Sequence, residues 1–210
     1  MNRLVALHAG GALTPWQAIG LESSEHGCRL ADVDLIFSGD VPGLHGWTIS
    51  ADRDDVVEID GIPTTLVSRA PDRPATSLIK GQTIVGLDHV VVNTQDQDRT
   101  CAAFASVLGL EVRREREVGN GVVQRFLKMD NTIVEIVSGP HVSGDRAGLW
   151  GFVASIDDLF DLAEELGDSM VSPPKRAVQP GRHISTVRGS VGLGTAVAFM
   201  TPHVPGAPTR

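Results

Sequence analysis

Two residues in this sequence have the type and the setting for proton or metal chemistry. Glu135 lies in TIVEIV (Thr132 to Val137), between apolar neighbours, and His89 lies in LDHVVVNT (Leu87 to Thr94). Both runs read as strands. The side-chain period of two places Ile133 and Val137 on the face of Glu135, and Val91 and Asn93 on the face of His89. On paired strands the two side chains can meet in one pocket. An ionised carboxylate in a partly dry interior needs a cation, an arginine or a hydrogen-bond donor beside it, or it takes up a proton. Three readings stay open: a divalent metal site, a metal-free acid and base pair made of Glu135 and His89, or a plain structural bond from Glu135 to His89 or to an arginine.

A zinc, iron, manganese or nickel site takes three or more protein ligands. His89 and Glu135 give two. The balance falls to His183, Gln124 or Gln179, each also readable as a substrate contact or a surface polar residue, or else to water and substrate. His8, His26, His45, His141 and His203 lie in turns, termini or the N-terminal part and read as solvent-exposed. For an anionic ligand the candidates are Arg182 and Gln179 in QPGRH, where a Pro-Gly turn exposes backbone N–H groups. Arg114 and Arg116 are a second choice, sharing one face of the RRERE strand; that run also reads as a charged edge strand kept soluble. VGLGT lacks the strand-turn-helix context of a nucleotide loop. Cys28 and Cys101 have no CxxC or histidine partner and read as reduced thiols.

The elements that must carry these residues follow from pattern. VGLDHVVVNT (Val85 to Thr94) is a strand, and Gln97 to Leu108 is an amphipathic helix closed by Gly109. Strands follow at Leu110 to Glu117, Val122 to Met129 and Thr132 to Gly139, giving a βαβββ unit. The order then returns: a strand at Leu149 to Ser155, a helix over IDDLFDLAEELG capped by Ser155, and strands at His183 to Gly189 and Thr195 to Pro202. Laying the units together puts His89 opposite Gly151, an offset of 62, and Glu135 opposite Ala198, an offset of 63. Ser68 to Lys80 reads as a linker. Before it, a short helix over Thr14 to Ile19 and strands at Cys28 to Gly39, His45 to Ala51 and Val56 to Ser68 make a β-rich part. The fold class is α+β, with paired βαβββ modules (about 85–139 and 149–202, within residues 81–210). Residues 1–80 precede them as a β-rich segment, with a degenerate βαβββ module as the alternative.

The 210 residues carry 18 basic and 26 acidic side chains, a formal charge of −8. No excess of Lys and Arg is available to neutralise phosphates, which argues against a nucleic-acid partner. The longest apolar runs are strand-sized and the start lacks the pattern of a secretory leader, so the expectation is a cytoplasmic protein with no membrane partner. With 23 glycines and 12 prolines, short strands and tight turns are favoured over a helix bundle.

The run LDHVVVNTQDQDRTCAAFASVLGLEVRRERE with VQRFLKMDNTIVEIV resembles a βαβββ module of the vicinal oxygen chelate superfamily. That superfamily includes glyoxalase I, bleomycin-resistance proteins, extradiol dioxygenases and methylmalonyl-CoA epimerase. LWGFVASIDDLFDLAEELG through TAVAFMTP resembles its partner repeat. More narrowly, RRERE, WGF and AVQPGRHIST, with PWQAIGLE through HGWTI, are similar to a group of bacterial glyoxalase-like proteins. The resemblance implies that the curved mixed sheets of the two modules surround a cavity holding one divalent metal (Zn, Ni, Fe or Mn), with ligands from the first and last strands of each module. Here these positions are His89 and Glu135, then Gly151 and Ala198, neither of which binds a metal; without a metal, no cofactor is implied. Gly151 would leave space where a ligand is expected, and Trp150 beside it would line the cavity. A homodimer is also implied.

These readings converge on a lyase or isomerase of a small oxygen-rich, anionic substrate. His89 or the metal would polarise an oxygen while Glu135 moves a proton. The alternative is a metal-free binding or resistance protein using the same cavity. In a net-negative chain, attraction of an anion must come from local groups such as Arg182 and Arg114.

Overall fold

The computed structural model describes residues 2–72 and 76–203. Residues 73–75, inside the stretch read as a linker, lie outside the described residues. The chain runs β1 (Arg3–Gly10), α1 (Thr14–Ala18), β2 (Gly27–Leu30), β3 (Val33–Phe37), β4 (Gly43–Ser50), β5 (Asp55–Ile59), β6 (Ile62–Val67) and β7 (Ser77–Ile79). It continues through β8 (Gln82–Asn93), α2 (Gln97–Leu108), β9 (Val112–Gly119), β10 (Val122–Lys128) and β11 (Ile133–Ser138). It ends with β12 (Gly148–Ile156), α3 (Leu159–Leu166), β13 (Lys175–Arg176), β14 (His183–Thr186) and β15 (Ala196–Met200). Among the described residues no helix is long and apolar enough to cross a membrane.

Two sheets result, one of six strands in the order β2-β3-β1-β4-β6-β5 and one of nine. The second runs β13-β14-β15-β12-β8-β11-β10-β9, with β7 paired to β8. In each C-terminal module the first strand is parallel to the last, β8 to β11 and β12 to β15, and the two first strands pair antiparallel. The N-terminal sheet repeats this plan with fewer parts. There β1 is parallel to β3, β4 is parallel to β6, and β1 pairs antiparallel with β4.

The register reproduces the expected offsets. Ile133 pairs with His89 and Ala196 with Gly151; Glu135 pairs with Val91 and Ala198 with Val153. Asp96 and Asp158 cap α2 and α3 by accepting backbone N–H bonds, and Gly109 ends α2 at φ 64°. Ser155 is therefore not a cap. It is a buried residue of β12, because the strand runs on to Ile156.

Other departures lie in the N-terminal part. Cys28 to Gly39 is not one strand but the β2–β3 hairpin, turning at Ala31 with φ 59°. Val56 to Ser68 is likewise the β5–β6 hairpin, turning at Asp60–Gly61. Strand β1 carries no alternating pattern, since four successive residues, Leu4 to Leu7, are buried. The C-terminal end of the stretch read as a linker forms β7, whose Ile79 also bridges to Leu21.

One apolar core joins the sheets. Trp16 stacks on Phe152 with ring centroids 6.3 Å apart and planes within 5°, and Trp47 meets Phe104 edge-on at 5.8 Å. Trp47 also donates from Nε1 to Thr64 Oγ1 at 2.7 Å, which satisfies its buried N–H. Leu87, Val90 and Val92 of β8 point into this core. The opposite face of β8 is left to build a site.

Candidate functional site

Strict alternation would put Asp88 and His89 on opposite faces of β8. A β-bulge prevents this. His89 pairs with Val153 and Leu87 with Ala154, so Asp88 is the extra residue. Leu87 and Val90 stay in the core while Asp88 and His89 both turn away from it. Asp88 Oδ2 then lies 2.8 Å from His89 Nδ1, and His89 Nε2 lies 3.2 Å from Glu135 Oε2. The second carboxylate oxygen of Glu135, Oε1, accepts from Gln124 Nε2 at 2.5 Å.

Arg182 completes the row from the other side. It is 3% exposed, with Nη1 2.6 Å from Asp88 Oδ1. Its Nε donates to the Thr201 carbonyl at 2.7 Å, Nη2 to Ser155 Oγ at 3.3 Å, and Nη1 also to Gln179 Oε1. The sequence therefore runs Arg182, Asp88, His89, Glu135, Gln124, each touching the next.

The electrostatics follow from burial and partners. Glu135 is 7% exposed, and burial raises its pKa against the opposing pull of His89 and Arg116. For Asp88, burial also disfavours the charge, yet the hydrogen bond and charge of His89 and those of Arg182 prevail and lower its pKa. With Asp88 at Nδ1, the other ring nitrogen of His89 is left facing Glu135 Oε2.

Of these groups His89, Glu135 and Gln124 line a cavity of about 320 Å³. His89, Gln124 and Glu135 stand on one side, Gly151, Val153 and Ala198 on the other, with Trp150 and His141 among the lining. Trp150 is the extra residue of a second bulge, in β12, which leaves its indole half exposed at the rim. Asn93 also lines this cavity, its Oδ1 buried and without a hydrogen-bond partner.

Of the residues singled out from the sequence, His89, Glu135, Gln124 and Trp150 come together here. Arg114 lies over the Phe126 ring at 5.9 Å in an adjoining cleft that includes Lys128. Arg182 is not a surface donor at the Pro-Gly turn, because its guanidinium is spent inside the protein, and exposed Gln179 serves it as an acceptor. His183 is turned to α3, its ring 5.2 Å from that of Phe160, since alternation along β14 gives the cavity to Ile184 and Thr186. Sequence reasoning missed Asp88, whose only signal was its place beside His89, and it set aside His141.

The donor set does not fit a resident metal. Among the described residues no group of three or more His, Cys, Asp or Glu is placed to hold a metal ion. Gly151 leaves no room either: a Cβ there would fall 2.0 Å from the Ala196 carbonyl oxygen, so β15 fills the space a ligand would need.

The sequence has no match among curated proteins. A variant of 4-hydroxymandelate synthase from Streptomyces coelicolor shares the fold over 97% of this chain and 93% of its own, at 13% identity and a TM-score of 0.66. Methylmalonyl-CoA epimerase from Mycobacterium tuberculosis aligns with 58% of this chain and 90% of its own, at 17% identity and a TM-score of 0.47. A variant of the Streptomyces coelicolor epimerase, in complex with 2-nitronate-propionyl-CoA, aligns with 57% and 98%, at 19% identity and 0.46. Residues 86–189 match the family described as the Glyoxalase/Bleomycin resistance protein/Dioxygenase superfamily. Through this stretch, which spans the bulged β8, Glu135 and the start of the second module, the chain is similar to that superfamily.

Proposed function

We propose that this protein is a lyase or isomerase that moves a proton on a small oxygen-rich, anionic substrate, with Glu135 as base and His89 as its acid partner. The observation that carries this is the buried Glu135 carboxylate, turned into a cavity and facing an imidazole whose other nitrogen is held by a second carboxylate. Burial raises the basicity of Glu135 toward the range useful near neutral pH. The proton leaves a substrate carbon for Glu135 while the electron pair moves onto the adjoining oxygen, and His89 Nε2–H supports the charge that develops there. Return of the proton to a different face or position completes an isomerisation; loss of a leaving group instead gives a lyase. Gln124 holds the Glu135 carboxylate in place, and Asp88 holds the ring. No step is routed through a metal.

Glu135→Gln tests the reading. It should abolish turnover of any substrate found while leaving ligand binding within a few fold; unchanged turnover would remove Glu135 from the mechanism. The second reading, a binding or resistance protein, draws on one observation: the second-module wall of the cavity offers Gly151, Val153 and Ala198 and no acid or base. In that case Glu135→Gln would weaken binding and there would be no turnover to lose. A second copy of the chain and a cytoplasmic location remain part of the proposal.

A further inference from the structure

The two sides of the cavity differ in chemistry as sharply as their register is alike. The first module presents Glu135, His89, Gln124 and Asn93. At the position matching Glu135 the second module has Ala198, which joins Val153 and Met200 in a small buried apolar cluster, with Ala177 and Ile184 packed against it. This cluster is separate from the main core. Val153 and Ala198 of this cluster, and Ile184 packed against it, line the cavity. A ligand spanning the cavity therefore meets hydrogen-bonding groups along one edge and hydrocarbon along the other.

We propose that the wall of Val153, Ala198 and Ile184 is a hydrocarbon subsite, and that the ligand is a small hydroxy or oxo acid bearing an alkyl or aryl group seated there. The inference rests on the small-molecule reading above and narrows its substrate class. The acid end is served by Arg116, which pairs across strands with Gln124 and whose charge is felt at Glu135. At about 320 Å³ the cavity is near the lower end of the roughly 300–1,000 Å³ common for ligand sites, so the hydrocarbon is short.

Isothermal titration calorimetry of the full chain with straight-chain 2-hydroxy acids, lengthened one methylene at a time, tests this. Each methylene should tighten binding roughly three- to fourfold until the subsite is full. Ala198→Leu should shorten the longest chain that still gains affinity and leave the shortest acid unaffected. Val153→Thr keeps the volume, adds a hydroxyl and should reduce the gain per methylene. Arg116→Met should weaken every member by one common factor and leave that gain intact. Affinity independent of chain length, a cut-off unmoved by Ala198→Leu, or no binding by any member would each overturn the proposal. The same series on Glu135→Gln separates the two readings, because the gain per methylene persists there even if Glu135 moves no proton.

Discussion

Arg182 Nη1 lies 2.6 Å from Asp88 Oδ1, which places a guanidinium 3% exposed behind the carboxylate that holds His89. Neither charge is easily left alone in that setting. Arg182→Met should destabilise the protein by about 3 kcal/mol, the low end of what stranding one partner of a buried pair costs. Urea unfolding measures it, and a loss below about 1 kcal/mol would show that water or another cation compensates Asp88.

The two site carboxylates give stability opposite dependences on pH. Glu135 has a raised pKa, chiefly through burial, so the folded state keeps a proton that the unfolded chain has released. Stability therefore falls as pH rises from the ordinary carboxylate value through the folded one. Asp88 has a lowered pKa, so its contribution is complete above the ordinary value and is lost as pH falls through the folded one. Unfolding curves across pH should lose the first trend in Glu135→Gln and the second in Asp88→Asn. A Glu135→Gln profile parallel to wild type would mean that Glu135 titrates normally.

Gly151→Ala brings a methyl group to within 2.0 Å of the Ala196 carbonyl oxygen unless β12 and β15 separate. The expected cost is about 1–3 kcal/mol in thermal or urea unfolding, the usual range for overpacking. By the same geometry Gly151→His should not create a metal site, and stoichiometric zinc in that variant, measured by elemental analysis, would contradict it.

Trp16 belongs to the N-terminal part, and its ring lies parallel to that of Phe152 in β12. Trp16→Ala should cost about 3–5 kcal/mol. Because the core is shared, unfolding in wild type should follow one transition by both near- and far-ultraviolet circular dichroism. Two separated transitions would show that the sheets unfold independently.

What could be read from the sequence was the repeat. Both modules keep the same order of parts, so Gly151 and Ala198 as counterparts of His89 and Glu135 are fixed by counting, whereas the cap of the second helix, read as Ser155, is Asp158 because β12 runs on to Ile156. What escaped was whatever breaks a period. Asp88 shares a face with its neighbour only through a bulge, and bulges leave no mark in an alternating pattern. Ala31 turns a hairpin at a positive φ that usually selects Gly or Asn, with only Asp32 beside it as a turn signal, and the Asp60–Gly61 signal was masked by apolar residues on both sides. Arg182 follows a Pro-Gly turn, a context that suggests exposure, and only the fold reveals that its long side chain runs inward to Asp88.

The bulge that pushes Trp150 to the rim also gives the cavity an optical label. The protein has three tryptophans and no tyrosine, and Trp16 and Trp47 are each 1% exposed against 52% for Trp150. Only one indole is therefore open to a collisional quencher such as iodide, and it stands where a ligand would enter. Shielding of that quenchable emission reports occupancy of the cavity directly, with no dye and no knowledge of the reaction.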